Sequence, residues 1–301
     1  MGPTASGKTD LAIEIAKRHS VELISVDSAL IYKGMDIGTA KPDIETQSSY
    51  PHHLVDIKDP SESYSAAEFR QDVLELIHQS TQKQKLPLLV GGTMMYFNAL
   101  LKGMAELPAS DPQLRAELDK RIDAEGIEKL HAQLQVLDPD AAARLHPTDR
   151  QRVQRALEVF LMTGKSLTAH WQQQQPVELP FTPLCLGLLP VDRSVLHQRI
   201  AIRFDKMLAD GFENEVSHLY QRADLHDNLP SIRCVGYRQM WQYFRGQLNY
   251  VQMREKSIIA TRQLAKRQYT WLRGWPNLHK LSTDKQNYLQ DCLKLIECHV
   301  I

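Results

Sequence analysis

Gly2-Pro3-Thr4-Ala5-Ser6-Gly7-Lys8-Thr9 sets two glycines five positions apart, with a lysine and a hydroxyl directly after the second. This is the full P-loop spacing. Its glycines let backbone amides approach phosphate oxygens, and a helix starting here aims its positive end at the same anion. Lys8 adds a mobile cation, and the Thr9 hydroxyl can ligate magnesium. The set that would grip a phosphate chain is Gly2, Thr4, Ala5, Ser6, Gly7, Lys8 and Thr9, with Thr9 the candidate metal ligand.

Asp27 ends the apolar run 21–26. A carboxylate there either orders magnesium or takes a proton from a nucleophile, or it caps the turn through Ser28. Thr93, after Gly91 and Gly92, either donates to a phosphate or caps the helix that follows. Arg199, Arg203 and Lys206 share one helical face, opposite Leu196, Ile200, Phe204 and Met207. That cationic row is either a solvated face or a second clamp on the diphosphate.

The elements that must position these groups follow from periodicity. Runs 21–26, 86–90 and 184–189 are mostly apolar and read as buried parallel strands. Helical patterns separate or follow them, as at 9–18 and 66–79. The chain is therefore α/β, a P-loop NTPase-like parallel sheet flanked by helices. Ligands in such sheets bind beyond the carboxyl ends of the strands, where Asp27 and Gly91-Gly92-Thr93 fall. From about 108 to 180 the strands stop. Helices are expected from Asp111-Pro112 to near Gly126, from Asp138-Pro139 to before Pro147, and from Thr148 or Asp149 to Gly164. The expected division is a core, 1–107 with 181–301, and an all-helical insertion domain, 108–180. Residues 172–183, rich in glutamine and carrying three prolines, read as the return connection. A P-loop ordinarily follows a buried strand, yet Met1 stands one residue before Gly2. The expectation is a longer form with an apolar strand ahead of it.

Bulk properties narrow the class. No apolar run approaches the roughly 20 residues of a membrane span. Four cysteines without CxxC pairing argue against structural zinc and a disulfide framework, and point to a reducing cytoplasm. Lys and Arg total 36 against 36 Asp and Glu, so the net charge is zero. The distribution is uneven: residues 231–275 hold nine basic side chains and one acidic, interleaved with aromatic residues. Such a surface suits RNA phosphates and unstacked bases.

Taken together, 2–9, Asp27-Ser28-Ala29-Leu30 with 31–41, and 89–93 resemble the tRNA dimethylallyltransferase family in its bacterial form. So do Gln151-Arg152-Val153-Gln154-Arg155, Arg233-Cys234-Val235-Gly236-Tyr237-Arg238 and Lys266-Arg267-Gln268-Tyr269-Thr270-Trp271-Leu272-Arg273. The resemblance runs from Met1 to about Trp275. It implies transfer of a dimethylallyl group from dimethylallyl diphosphate to the exocyclic amine of the adenosine 3′ of the anticodon. It makes Asp27 the base, and Thr93 and Arg203 diphosphate contacts acting with Lys8, Thr9 and Mg2+. It also implies tRNA contacts at Asp27, Ser28, Ala29, Leu30, Arg115, Gln151, Arg152, Arg155, Arg233, Cys234, Gly236, Tyr237 and Arg238. Lys266, Arg267, Gln268, Trp271 and Arg273 complete that set. The expected partners are the tRNA anticodon stem-loop and the prenyl diphosphate, for a cytoplasmic monomer that uses no membrane. Two other readings stay open: a small-molecule P-loop kinase, and a non-catalytic RNA-binding NTPase.

Overall fold

The computed structural model describes the chain except for positions 175–177, 191, 284, 286 and 301; the middle of the expected connection 172–183 thus lies outside the described residues. Two compact units are present, one of Met1–Leu101 with Leu179–Ile301, the other of Lys102–Glu178.

In the first unit the P-loop leads into α1 (Lys8–Ala16) and then β1 (Val21–Val26). Next come α2 (Ile44–Ser49), β2 (His52–His53), α3 (Ala66–Gln82), β3 (Leu86–Gly91) and α4 (Met94–Lys102). Strand β1 is buried from Glu22 to Val26, which is why Leu23, Ile24 and Val26 are apolar without strict alternation. It pairs in parallel with β2 on one side and β3 on the other, from Val21 opposite Leu86 to Val26 opposite Gly91. Gly91 is required at that last pair. A Cβ there would strike the Val26 backbone, so the strand ends close together only with glycine. Asp27 and Gly92-Thr93 consequently leave the sheet side by side. Helix α3 is fixed at its start by Ser65 and Glu68, which exchange hydrogen bonds with each other's backbone N–H.

The described second unit is helical, with α5 (Pro112–Glu125), α6 (Ile127–Leu137), α7 (Pro139–Arg144), α8 (Arg150–Thr163) and α9 (Leu167–Gln172). Asp111, Asp138, Asp149 and Ser166 each accept a first-turn N–H. Leu118, Ile122, Leu130, Leu134, Val153 and Leu157 form its core. Helix α6 was not expected. Gly126 ends α5 and begins α6, so no loop composition separates them.

Within this unit Glu158 is fully buried in α8. It accepts from Arg115 at 3.1 and 3.2 Å, Arg155 at 2.7 Å, the Ser110 hydroxyl at 2.8 Å and the Asp111 N–H at 2.9 Å. Burial alone pushes this carboxyl up; the hydrogen bonds from Arg115, Arg155, Ser110 and Asp111 outweigh it and hold the pKa below its ordinary value. Its stabilising contribution is therefore present at neutral pH and fades as the pH drops through that lowered value. Glu158→Ala is expected to cost about 2–4 kcal/mol, read as an earlier chemical-denaturation transition. A loss below about 0.5 kcal/mol, ordinary for a surface site, contradicts this.

The chain returns to the first unit at β4 (Leu186–Leu188), followed by α10 (Arg193–Ala209), α11 (Phe212–Tyr220), α12 (Tyr237–Phe244) and α13 (Tyr250–Arg273). Strand β5 (His279–Leu281) pairs in parallel with β4, and α14 (Tyr288–Val300) follows. Helices α10 to α13 share a core of Leu196, Ile200, Phe204, Phe212, Met240, Trp241, Met253, Ile258 and Ala265. The Met1 ammonium donates to the Leu186 carbonyl at 2.8 Å, and the Leu188 N–H donates to the Met1 carbonyl at 2.8 Å. Burial, then the charge of Lys8, lowers that ammonium to about 5. Met1, Ile15, Leu86, Leu88, Leu184 and Leu186 line an apolar cavity of about 300 Å³ beside it. No helix among the described residues is long and apolar enough to cross a membrane.

Candidate active site

A cavity of about 540 Å³ opens where β1 and β3 end. Thr4, Ala5, Lys8 and Thr9 form one wall, and Asp27 to Leu30 with Gly91 to Thr93 form the floor. Arg203 of α10 and Arg267, Gln268 and Trp271 of α13 also line it. One site thus gathers residues from the start, middle and end of the chain.

The P-loop turns through two left-handed residues, Ala5 (φ 60°) and Gly7 (φ 84°). Gly7 directly precedes α1, so a helix start adjoins the loop residues Thr4, Ala5, Lys8 and Thr9 that line the cavity, while Gly2, Ser6 and Gly7 are not among its lining residues. The Lys8 ammonium rests on the Pro3 carbonyl at 2.9 Å. Burial lowers Lys8 to about 8, opposed by Asp27 and reinforced by Arg203. An anion entering between these cations would relieve both. Arg203 is likewise pulled down by burial and supported by Asp27 and Asp10. It donates to the Thr39 carbonyl at 3.3 Å, so it turns inward, whereas Arg199 and Lys206 on the same helix are exposed. The cationic row therefore splits, with Arg203 alone of the three lining the cavity.

Asp27 caps the turn and also lies on the cavity. One carboxylate oxygen accepts from the Ala29 N–H at 2.9 Å, an Asx turn, while the side chain borders the cavity. The Thr93 hydroxyl accepts from the Ser28 N–H at 3.1 Å and lies 3.4 Å from the Ser28 hydroxyl. It ties the β3 end to the Asp27 turn. The donor set suits magnesium: Mg2+ typically takes one or two protein oxygens, with phosphate and water completing the octahedron. Thr9 and Asp27 offer that pair on the same cavity, and no three-residue His, Cys, Asp or Glu cage exists among the described residues.

The expected RNA-facing residues separate by burial. Ser28, Gln151, Arg152, Arg233, Arg238, Lys266, Arg267, Trp271 and Arg273 are exposed, and Ala29, Leu30 and Cys234 are half-buried. Burial pushes the Cys234 thiol up to about 12, so it is a neutral wall rather than a nucleophile. Tyr237 and Gln268 are buried, and Gly236 precedes α12 in a left-handed turn at φ 92°. Arg115 and Arg155 pair with Glu158 in the helical unit.

Several contributors escaped the sequence reading. Glu215 of α11 accepts from the N–H groups of Asp36, Ile37 and Gly38 at 2.8, 2.7 and 3.1 Å, and from the Tyr237 hydroxyl at 2.5 Å. It pins the loop whose Gly38, Thr39 and Ala40 line the cavity. An acidic residue beside an ordinary helix start gives no sign of such a role. Glu158 was more legible, because Arg155 lies three residues before it on one helix.

Known proteins resemble this chain along nearly its whole length. The family model for IPP transferase matches residues 30–275. The tRNA isopentenylpyrophosphate transferase of Bacillus halodurans is 37% identical; the match covers 99% of this chain and 92% of that one, with a TM-score of 0.69. The tRNA delta(2)-isopentenylpyrophosphate transferase of Staphylococcus epidermidis is 35% identical over 99% and 97%, with a TM-score of 0.71. A eukaryotic dimethylallyltransferase acting on tRNA is 27% identical over 98% and 76%, with a TM-score of 0.80. With most of its length matched by that model and by two such relatives, the chain belongs to the IPP transferase family.

Proposed function

We propose that this protein transfers a dimethylallyl group from dimethylallyl diphosphate to the N6 amine of the adenosine 3′ of the anticodon in tRNA. The observation that carries it is the joining of an anion cradle, a carboxylate and an exposed basic helix around one cavity. A kinase would need the first two and leave the third unused.

The chemistry follows from the positions. The amine attacks the allylic carbon, the carbon–oxygen bond breaks, and diphosphate leaves with the bonding pair. Asp27 accepts the N–H proton. P-loop amides, Lys8, Thr93 and Arg203 hold the charge growing on the diphosphate. Thr9, with Asp27 through water, would hold Mg2+, whose positive charge further stabilises the leaving oxygens. The adenosine must leave its stack to reach Asp27. Ser28, Ala29, Leu30, Arg233, Arg238, Lys266, Arg267, Trp271 and Arg273 guide the RNA, joined by Arg115, Gln151, Arg152 and Arg155 of the helical unit. The enzyme works as a cytoplasmic monomer.

Incubation with tRNA and dimethylallyl diphosphate labelled in its carbon chain tests the reading. Label should enter the tRNA; phosphate release from ATP without such label would favour the kinase or NTPase readings. Arg267→Ala should weaken tRNA binding and reduce the magnitude of the salt slope by about one. An unchanged slope in fluorescence-anisotropy titrations removes Arg267 from the phosphate contacts.

A further inference from the structure

The Gln268 side chain joins two segments that the chain keeps far apart. Its Oε1 accepts from the Thr4 N–H at 2.8 Å, and its Nε2 donates to the Gly92 carbonyl at 2.8 Å. A backbone N–H can only donate and a carbonyl only accept, so the amide has a single orientation here. The residue is 7% exposed, which leaves neither end of the amide for RNA. Gly92 fits the arrangement, since a Cβ at that position would collide with Gln268 Nε2.

We infer that Gln268 is a positioning residue that locks the P-loop to the β3–α4 turn, fixing Lys8 and Thr93 at the spacing a diphosphate requires. The inference rests on the proposed use of this cavity for a diphosphate. Thr4 lies in the loop that leads into Lys8, and Gly92 immediately precedes Thr93. Both segments reach the cavity, and Gln268 itself borders it from α13. A bridge from the RNA-facing helix to the anion cradle holds the two substrate sites at one separation. Displacement of a reacting group by about 1 Å can cost roughly 100-fold in rate.

The test uses two variants of the full chain. Gln268→Met keeps the length but removes both hydrogen bonds. Gln268→Glu keeps the acceptor for Thr4 and, as a carboxylate, loses the donor to Gly92. When protonated, it accepts and donates as the amide does. The titratable or charged groups bordering the same cavity are Lys8, Asp27, Arg203, Arg233, Cys234, Tyr237 and Arg267. Their titration largely cancels when each rate is divided by that of the wild type at the same pH.

Gln268→Met is expected to lower kcat about 100-fold and weaken inorganic diphosphate binding about tenfold by calorimetry, with tRNA Kd within about twofold. For Gln268→Glu, relative kcat should rise as the pH is lowered from ~8 to ~5.5, because burial raises a carboxyl pKa into that range. A simple loss of stability would give no such rise. The inference is overturned by wild-type kcat in Gln268→Met, by a flat ratio in Gln268→Glu, or by a loss confined to tRNA affinity. Diphosphate binding separates the two readings. If the wild type binds diphosphate but transfers no prenyl group, the function fails while weakened binding in Gln268→Met still supports the clamp.

Discussion

Asp27→Asn is expected to lower kcat by about 10²–10⁴-fold, the usual range for removing a general base, with tRNA affinity within about twofold. Asparagine keeps an oxygen for the Ala29 N–H, so the turn that ends β1 should survive. What it lacks is the basic oxygen that takes the amine proton in the proposed reaction. Asp27→Ala removes both, so its loss should equal or exceed that of the asparagine variant. Equal falls in turnover and in tRNA binding for Asp27→Asn would contradict the base assignment. They would make Asp27 a structural element of the RNA surface.

Lys8→Met should cost about 10²–10³-fold in kcat, since it removes one preorganised charge from the leaving diphosphate. It should also raise KM for the donor while leaving tRNA affinity intact. The pH dependence has a definite sign. In the proposed site the ammonium is the form that attracts the donor, and it persists below its pKa of about 8. The wild-type kcat/KM for dimethylallyl diphosphate should therefore fall as the pH rises above about 8. The kcat at saturation should hold to higher pH, because the bound anion favours the ammonium. A profile flat to high pH, or an unchanged KM in Lys8→Met, would remove Lys8 from the diphosphate site.

Legibility in the sequence followed burial and locality. Strands β1 and β3 were readable because their sequences are mostly apolar, β1 being buried from Glu22 to Val26. Strand β2 (His52–His53) and β5 (His279–Leu281) were not, being short, polar and held in place by β1 and β4. Helices with an aspartate cap ahead of a proline stood out at Asp111 and Asp138. Helix α6 was hidden by the shared Gly126.

The site divided along the same line. The P-loop is a local device whose residue types and spacing state its chemistry. Arg203 could be picked from its row only by resemblance, and the inward turn toward Thr39 is a tertiary fact. Gln268 carried no local signal for its part in the site. Its partners lie 264 and 176 positions away, and the motif containing it pointed toward RNA rather than the cradle.

The central claim is that this P-loop holds a diphosphate leaving an allylic carbon, with tRNA as acceptor. Its most direct measurement is nucleoside analysis of tRNA after reaction with dimethylallyl diphosphate and Mg2+, alongside assay of released diphosphate. N6-dimethylallyl adenosine should appear next to the anticodon, one per diphosphate released, and be absent without the donor. Diphosphate released with no modified adenosine, or phosphoryl transfer from ATP in its place, would contradict it.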